Sequence, residues 1–420
     1  MAEAERVLTP ALKTWRYRIF ASTWLCYAGF YFCRKPFYIA KSALGHDLKF
    51  DATMLGVIGS VYLVAYTIGQ FAAGALGNRL GPRVLLLSGM AISIGANIGF
   101  GLSNTYWNFL ALMALNGLVQ ATGWSGGVGT MANWYRRRER GTVMGLWATN
   151  FQVGGVLANT LASWVLGQYG FRYSFFTGSV VLMGVWVFFL FNQRNRPSDL
   201  GLPDVDDPEE VKADAGRTGG SRQAMLNVFL VGVFYFFVKF IRYSLWSWAP
   251  FFLERNFGLK GNDAGYLSTA FDLAGVAGVV VTGFLSDKVF KSRRAGVSLL
   301  MMVAMFAACI MLYVAGGSSV VVFGICLALV GFTLYGPDAL MSGAGAMDIG
   351  SRRGAVLAAG VINGMGSIGS VVQELFIGRM YDQNGGHLGP IFLLLLGASA
   401  AAVASIGVVY ARNRLGASDV

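Results

Sequence analysis

Apolar stretches of about 20 residues follow one another along the chain with short polar loops between them, the length at which a helix crosses about 30 Å of hydrocarbon. The pattern predicts twelve spans, over 17–42, 53–77, 84–103, 106–133, 142–168, 172–193, 225–253, 263–285, 295–315, 319–346, 355–378 and 389–411. The longest polar interruption, NQRNRPSDLGLPDVDDPEEVKADAGRTGGSRQ, has the Pro, Gly and charge content of a solvated linker. It separates six spans from six. The predicted organisation is therefore an all-α polytopic membrane protein, with one six-helix half over 1–194, a linker over 195–223 and a second half over 224–420.

Composition supports the lipid bilayer as solvent: 55% of the 420 residues are hydrophobic and 13% are charged, too few to cover a water-exposed surface. The net charge of +12 would suit nucleic acid, but the cations fall in short loops, where membrane orientation explains them. About 22 of the 33 lysines and arginines lie in the tails, the even-numbered loops and the linker, against about six in odd-numbered loops, which predicts cytoplasmic termini. The N-terminus lacks the small-residue cleavage site of a signal peptide, so the first span is expected to stay in the mature chain. Cys26, Cys33, Cys309 and Cys326 lie in apolar spans without metal-ligand spacing, and His46 and His387 lie in predicted external loops. No Walker A, H-E-x-x-H or G-x-S-x-G motif occurs, so neither ATP-driven pumping nor hydrolysis is expected, and no metal or cofactor is called for.

The halves repeat one another. GALGNRLGPR starts at Gly74 and GFLSDKVFKSRR at Gly283, 209 residues apart, while RERGTVMG and SRRGAVLA align Gly141 with Gly354 at 213. Arg34 in span one and Arg242 in span seven are offset by 208. Such a parallel repeat puts a binding site near the bilayer midplane, with these two arginines opposed across it.

A cation at that depth costs about 2.5 to 3.5 kcal/mol on insertion scales, so it faces water or an opposite charge. Neither arginine has an acid on its own helical face, which makes an anionic substrate the expected partner. The other reading is that Arg34 and Lys35 end a short first span and snorkel outward. Tyr27, Tyr31 and Arg34 share one helix face, and Lys239 and Arg242 are i,i+3 neighbours. Arginine's planar fork suits phosphate or carboxylate. Lys35 points about 100 degrees away around the helix and has Asp272 as candidate partner, either as a static neutralising pair or as one exchanged between conformations. For Asp338 and Glu374 three readings stand: lining the cavity, carrying coupled protons, or satisfying a neighbouring helix.

YAGFYFCRKPF, IRYSLWSWAPFFL, NGLVQATGWSGG, YGPDAL and NRPSDLGL together resemble the organophosphate:phosphate antiporters of the major facilitator superfamily, and the likeness covers the whole chain. The resemblance implies a phosphate held between Arg34 and Arg242, with Tyr27, Tyr31, Tyr66, Tyr335 and Trp124 around it. It also implies an interhelical ion pair between Lys35 and Asp272, since the seventh-helix acid of the glycerol-3-phosphate branch is Ser247 in this chain. Several positions depart from that branch: Gln70 replaces a lysine, Gly129 an arginine and Phe151 a histidine, while Lys239 stands in place of a tyrosine.

The expected function is exchange of a phosphate ester for inorganic phosphate by alternating access, in a monomer of a bacterial inner membrane. Pro36 and Pro250 either permit bending of helices one and seven or mark their ends. Two alternatives remain from the residues: a proton-coupled organic-anion importer using Asp338 or Glu374, and a sugar-phosphate sensor on the same fold.

Overall fold

A computed structural model describes residues 9–50, 52–205, 220–259 and 261–416. The predicted linker therefore lies in part, over 206–219, outside the described residues. Helices dominate the chain: α1 (Pro10–Phe32), α2 (Lys35–Asp47), α3 (Ala52–Leu80), α4 (Pro82–Leu102), α5 (Tyr106–Gln120), α6 (Thr122–Trp134), α7 (Arg137–Trp147), α8 (Asn150–Tyr169) and α9 (Phe171–Asn192) come first. After a 3-10 turn at Pro197–Leu200 follow α10 (Gly220–Arg255), α11 (Gly261–Lys288), α12 (Arg294–Ala315), α13 (Val320–Leu340), a π turn (Met341–Gly345), α14 (Ala346–Gln383) and α15 (Gly389–Arg414).

Among the described residues nine helical segments are long and apolar enough to cross a bilayer. The other three predicted spans, the first, fourth and fifth, are each split in two, as α1/α2, α5/α6 and α7/α8. For the first span the cause is Pro36, which has no N–H to give the Phe32 carbonyl and whose ring crowds it. At Cys33–Arg34 the backbone tightens to i to i−3 bonds, Cys33 N–H to the Phe30 carbonyl and Arg34 N–H to the Tyr31 carbonyl, each at 3.1 Å. The α-helix resumes at Lys35, with the proline in the first turn, where a missing N–H costs nothing. The neighbouring Cys33 carbonyl accepts from Asn116 Nδ2 at 2.8 Å. Pro250 acts differently: α10 runs through it to Arg255.

Helices distant in sequence meet where glycine allows. The C-terminal part of α3 crosses α14 at Gly74 and Gly360, where a Cβ on Gly360 would fall 2.5 Å from the Gly74 Cα. Likewise α7 meets α11 at Gly283, where a Cβ would stand 2.6 Å from the Gly141 carbonyl oxygen. Of the glycines that mark the sequence repeat, Gly141 and Gly283 thus touch one another across the bundle, while Gly74 meets Gly360. Small residues are what lets membrane helices pack backbone to backbone.

The same end of the bundle, beside the start of α1, holds a buried charge cluster. Asp348 accepts from Arg140 Nη1 and Arg294 Nε, each at 3.0 Å, and lies 3.7 Å from Arg137 Nε. Arg294 also pairs with Asp287, whose other oxygen accepts from the Thr142 backbone N–H at 2.6 Å. Arg140 donates to the Ala132 carbonyl at 3.0 Å and the Tyr135 carbonyl at 3.1 Å, placing a cation at the C-terminus of α6, where the helix dipole favours it. Arg16 of α1 pairs with Glu139 and lies 4.2 Å from the Tyr135 ring. The sequence marked these segments only as repeats; the structure shows that they bind each other.

Candidate substrate site

The break between α1 and α2 puts the Arg34 side chain in a cage of tyrosines. Its guanidinium lies 4.7 Å from the Tyr31 ring, 5.2 Å from Tyr66 and 5.5 Å from Tyr62. Its Nε donates to Gln120 Oε1 at 2.9 Å, and Tyr62 donates to the same oxygen at 3.0 Å. Gln120 Nε2 in turn donates to Ser93 Oγ and Asn116 Oδ1, both at 3.0 Å. Asn116 thereby links the Cys33 carbonyl to the residue that orients Arg34. Arg34 Nη2 is buried and has no hydrogen-bond partner. A half-buried guanidinium with a free donor and, among the described residues, no acid paired with it has the chemistry to bind an anion. The side chain turns inward, onto residues of α3 and α5.

Arg242 on α10 is different. Its Nη1 pairs with Asp338 Oδ2 of α13 at 2.6 Å, so the anion beside this arginine in the structure is a carboxylate and not a substrate. The acid comes from another helix, across the packing, where a helical-face argument does not reach. Phe151 and Tyr335 stack on each other 5.9 Å apart and lie 4.6 and 4.5 Å from the same guanidinium. Tyr31 and Tyr243 each lie within electrostatic reach of both Arg34 and Arg242. Lys239, also buried, donates to Asn363 Oδ1 and Ser367 Oγ, each at 3.3 Å, and sits 5.1 Å from the Tyr235 ring.

Tyr27 packs against Tyr31, Trp124 and Trp147, with centroids 6.1, 5.5 and 5.9 Å away. Trp124 crosses to the second half, donating Nε1 to the Ser342 carbonyl of the π turn at 3.0 Å. A π turn leaves its carbonyls imperfectly paired within the helix, which is what makes Ser342 available. Gln70 is fully buried, 3.5 Å from Ser125 Oγ, with its Nε2 unpartnered.

Lys35 and Asp272 do not form the expected ion pair in this structure. The Lys35 ammonium lies 5.4 Å from the Trp246 ring centroid, and Asp272 accepts from Tyr335 Oη at 2.5 Å. The two charges remain within electrostatic reach of each other. A phenol satisfies the carboxylate here, leaving the ammonium to an aromatic face. The Glu374 side chain lies outside the described residues.

Two departures from the glycerol-3-phosphate branch have visible reasons. At Gly129 an added Cβ would fall 2.2 Å from a Val356 methyl, so a long side chain would separate α6 from α14. Phe151, in place of a histidine, supplies an aromatic face to Arg242. The residues that sequence reasoning missed are Tyr62, Ser93, Asn116 and Gln120. Asn116 and Gln120, an i,i+4 polar pair inside an apolar span, were the available signal.

Partly or fully buried cations among aromatic rings, on helices drawn from both ends of the sequence, suit an integral membrane transporter. The chain belongs to the Major Facilitator Superfamily, whose sequence model matches residues 23–374. It is 29% identical over 402 residues to the "Probable hexose phosphate transport protein" of Chlamydia pneumoniae, covering 90% of this chain and 88% of that one. Against the "Glycerol-3-phosphate transporter" of Bacillus subtilis the identity is 27%, covering 95% and 93%. "Sugar phosphate exchanger 3" of Homo sapiens is 29% identical, covering 79% and 75%. Among solved structures, the proton:xylose symporter XylE superposes with a TM-score of 0.75 at 15% identity over 95% of this chain and 96% of that one. The Escherichia coli fucose:proton symporter FucP gives 0.69 at 14%, over 93% and 98%.

Proposed function

We propose that the chain exchanges a phosphate ester for inorganic phosphate by alternating access across a bacterial cytoplasmic membrane, with both termini in the cytoplasm. One observation carries the reading: Arg34 is half-buried, is oriented by Gln120 and Tyr62, and keeps a buried, unpartnered Nη2. The names of the relatives, hexose phosphate and glycerol-3-phosphate transporters, supply the ester as ligand class. Phosphate binding at Arg34 neutralises a charge that otherwise opposes closure of the two halves over it. Lys35 and Asp272, separate here, become partners when the halves rearrange; a double-mutant cycle on transport rate with non-additive losses is the expected result.

The test is uptake of labelled phosphate into proteoliposomes of the purified chain. Uptake that phosphate or a sugar phosphate inside accelerates is expected. Uptake that instead requires an imposed proton gradient would establish the importer reading, which the acid on Arg242 favours. Binding without flux would establish a sensor.

A further inference from the structure

The phosphate clamp expected from the sequence has two arginines, yet only one of them is vacant. Asp338, 2% exposed, holds Arg242 with Oδ2, while its Oδ1 is buried and accepts no hydrogen bond. Lys239, one turn before Arg242 on α10, hydrogen-bonds among the described residues to the neutral Asn363 and Ser367, at the long distance of 3.3 Å, and lies within electrostatic reach of Asp338. Tyr235, a further turn back, is within reach of the same carboxylate. One carboxylate is therefore bonded to Arg242 and lies within electrostatic reach of Lys239 on the preceding turn, with no hydrogen bond of ordinary geometry to its Oδ1.

Resting on the exchange reading above, we propose that Asp338 is a resident counter-anion. In the empty carrier its carboxylate occupies the Arg242 position that substrate phosphate takes, and on phosphate binding it passes to Lys239. The chemistry allows the exchange because carboxylate and phosphate both fit a guanidinium fork, and a displaced carboxylate next to an ammonium is not stranded. Charge is conserved at each step: Arg242 passes from carboxylate to phosphate, and Lys239 from neutral partners to the carboxylate. No proton moves.

The functional consequence is net flux. An empty carrier whose arginines are bare resists bringing its halves together, which ties transport to exchange. Here the charge of the second-half arginine is already compensated by Asp338 without substrate. The empty carrier then reorients, and phosphate leaves loaded vesicles without a counter-substrate. Asp338 also competes with phosphate, which lowers affinity in proportion to its hold on Arg242.

The experiment compares release of labelled phosphate from proteoliposomes into medium with and without external phosphate. Wild-type vesicles are expected to release phosphate into phosphate-free medium at a measurable fraction of the exchange rate. In D338N the ratio of net release to exchange is expected to fall about tenfold, and the half-saturation for external phosphate to fall about tenfold, typical of a coupling between sites. In K239M the carboxylate has no receiving cation, and half-saturation is expected to rise about tenfold. D338N protein in detergent should gain more thermal stability from added phosphate than wild type, because phosphate replaces the missing anion. If D338N does not reach the membrane, K239M, which breaks no ion pair, still decides. Normal exchange with an unchanged ratio in D338N, or an unchanged half-saturation in K239M, would overturn the counter-anion alone. Absence of phosphate exchange in wild type would overturn the exchange reading and the inference with it.

Discussion

Arg34 and Arg242 hold matching places in a duplicated sequence but keep different company. Arg34 has an amide and three phenol rings, whereas Arg242 has a carboxylate. R34K keeps the charge but loses the planar fork that Gln120 orients. Charge-assisted hydrogen bonds contribute about 1.5 to 3 kcal/mol each, so loss of one or two predicts phosphate exchange reduced about a hundredfold with insertion intact. Near-wild-type exchange in R34K vesicles would remove Arg34 from the site. Q120L tests the positioning role separately: half-saturation for phosphate should rise about tenfold through a misplaced guanidinium, with maximal rate changed less. Periodicity exposed both arginines, since a cation inside an apolar run is conspicuous in one dimension. It did not expose Asp338 as the partner of Arg242, because that contact joins α10 to α13 across 96 residues of sequence. Likewise Tyr62 and Gln120 converge on Arg34 from α3 and α5, a registry that no single helical face reveals.

At the scale of elements, nine of the twelve predicted spans are continuous helices and the three split ones all come from the first half. Apolar length is a one-dimensional property and was legible. The splits depend on local hydrogen bonding: Pro36 announced the first, while nothing in the composition around Ala121 or Ala148–Thr149 announced the others. The glycine motifs were legible as marks of a repeat but not as contacts of one another. Their pairing yields a steric prediction at the α7/α11 crossing. Valine at position 283 would place Cβ against the Gly141 carbonyl, at 2.6 Å, well inside van der Waals contact. G283V is therefore expected to hold this end of the bundle apart and to lower the exchange rate at least about tenfold, while G283A, with less bulk beyond Cβ, should be milder. Equal rates in G283V and wild-type vesicles would show that α7 and α11 need not close on each other during transport.

Over the whole molecule, the halves are tied at one end by a buried network in which Asp348 serves Arg140 from the first half and Arg294 from the second. Both arginines have side chains at most 1% exposed, so neither can turn to water when the carboxylate is removed. Breaking a buried pair by deleting one partner costs about 3 to 5 kcal/mol, against a far smaller cost for deleting acid and base together. D348N should consequently lower the thermal stability of the purified protein and shift the carrier away from the conformation closed at this end. Val143, half-buried beside the cluster on α7, offers a reporter position, because the four native cysteines are all buried. In a V143C background, thiol labelling is expected to rise about tenfold on adding D348N, a shift of the size that sites coupled by one ion pair produce. R140Q/D348N should recover part of the lost stability, since Arg140 is no longer stranded while Arg294 keeps Asp287. Labelling unchanged by D348N would mean that the halves are held at this end by the glycine crossings alone, with the charge network only filling the space between them.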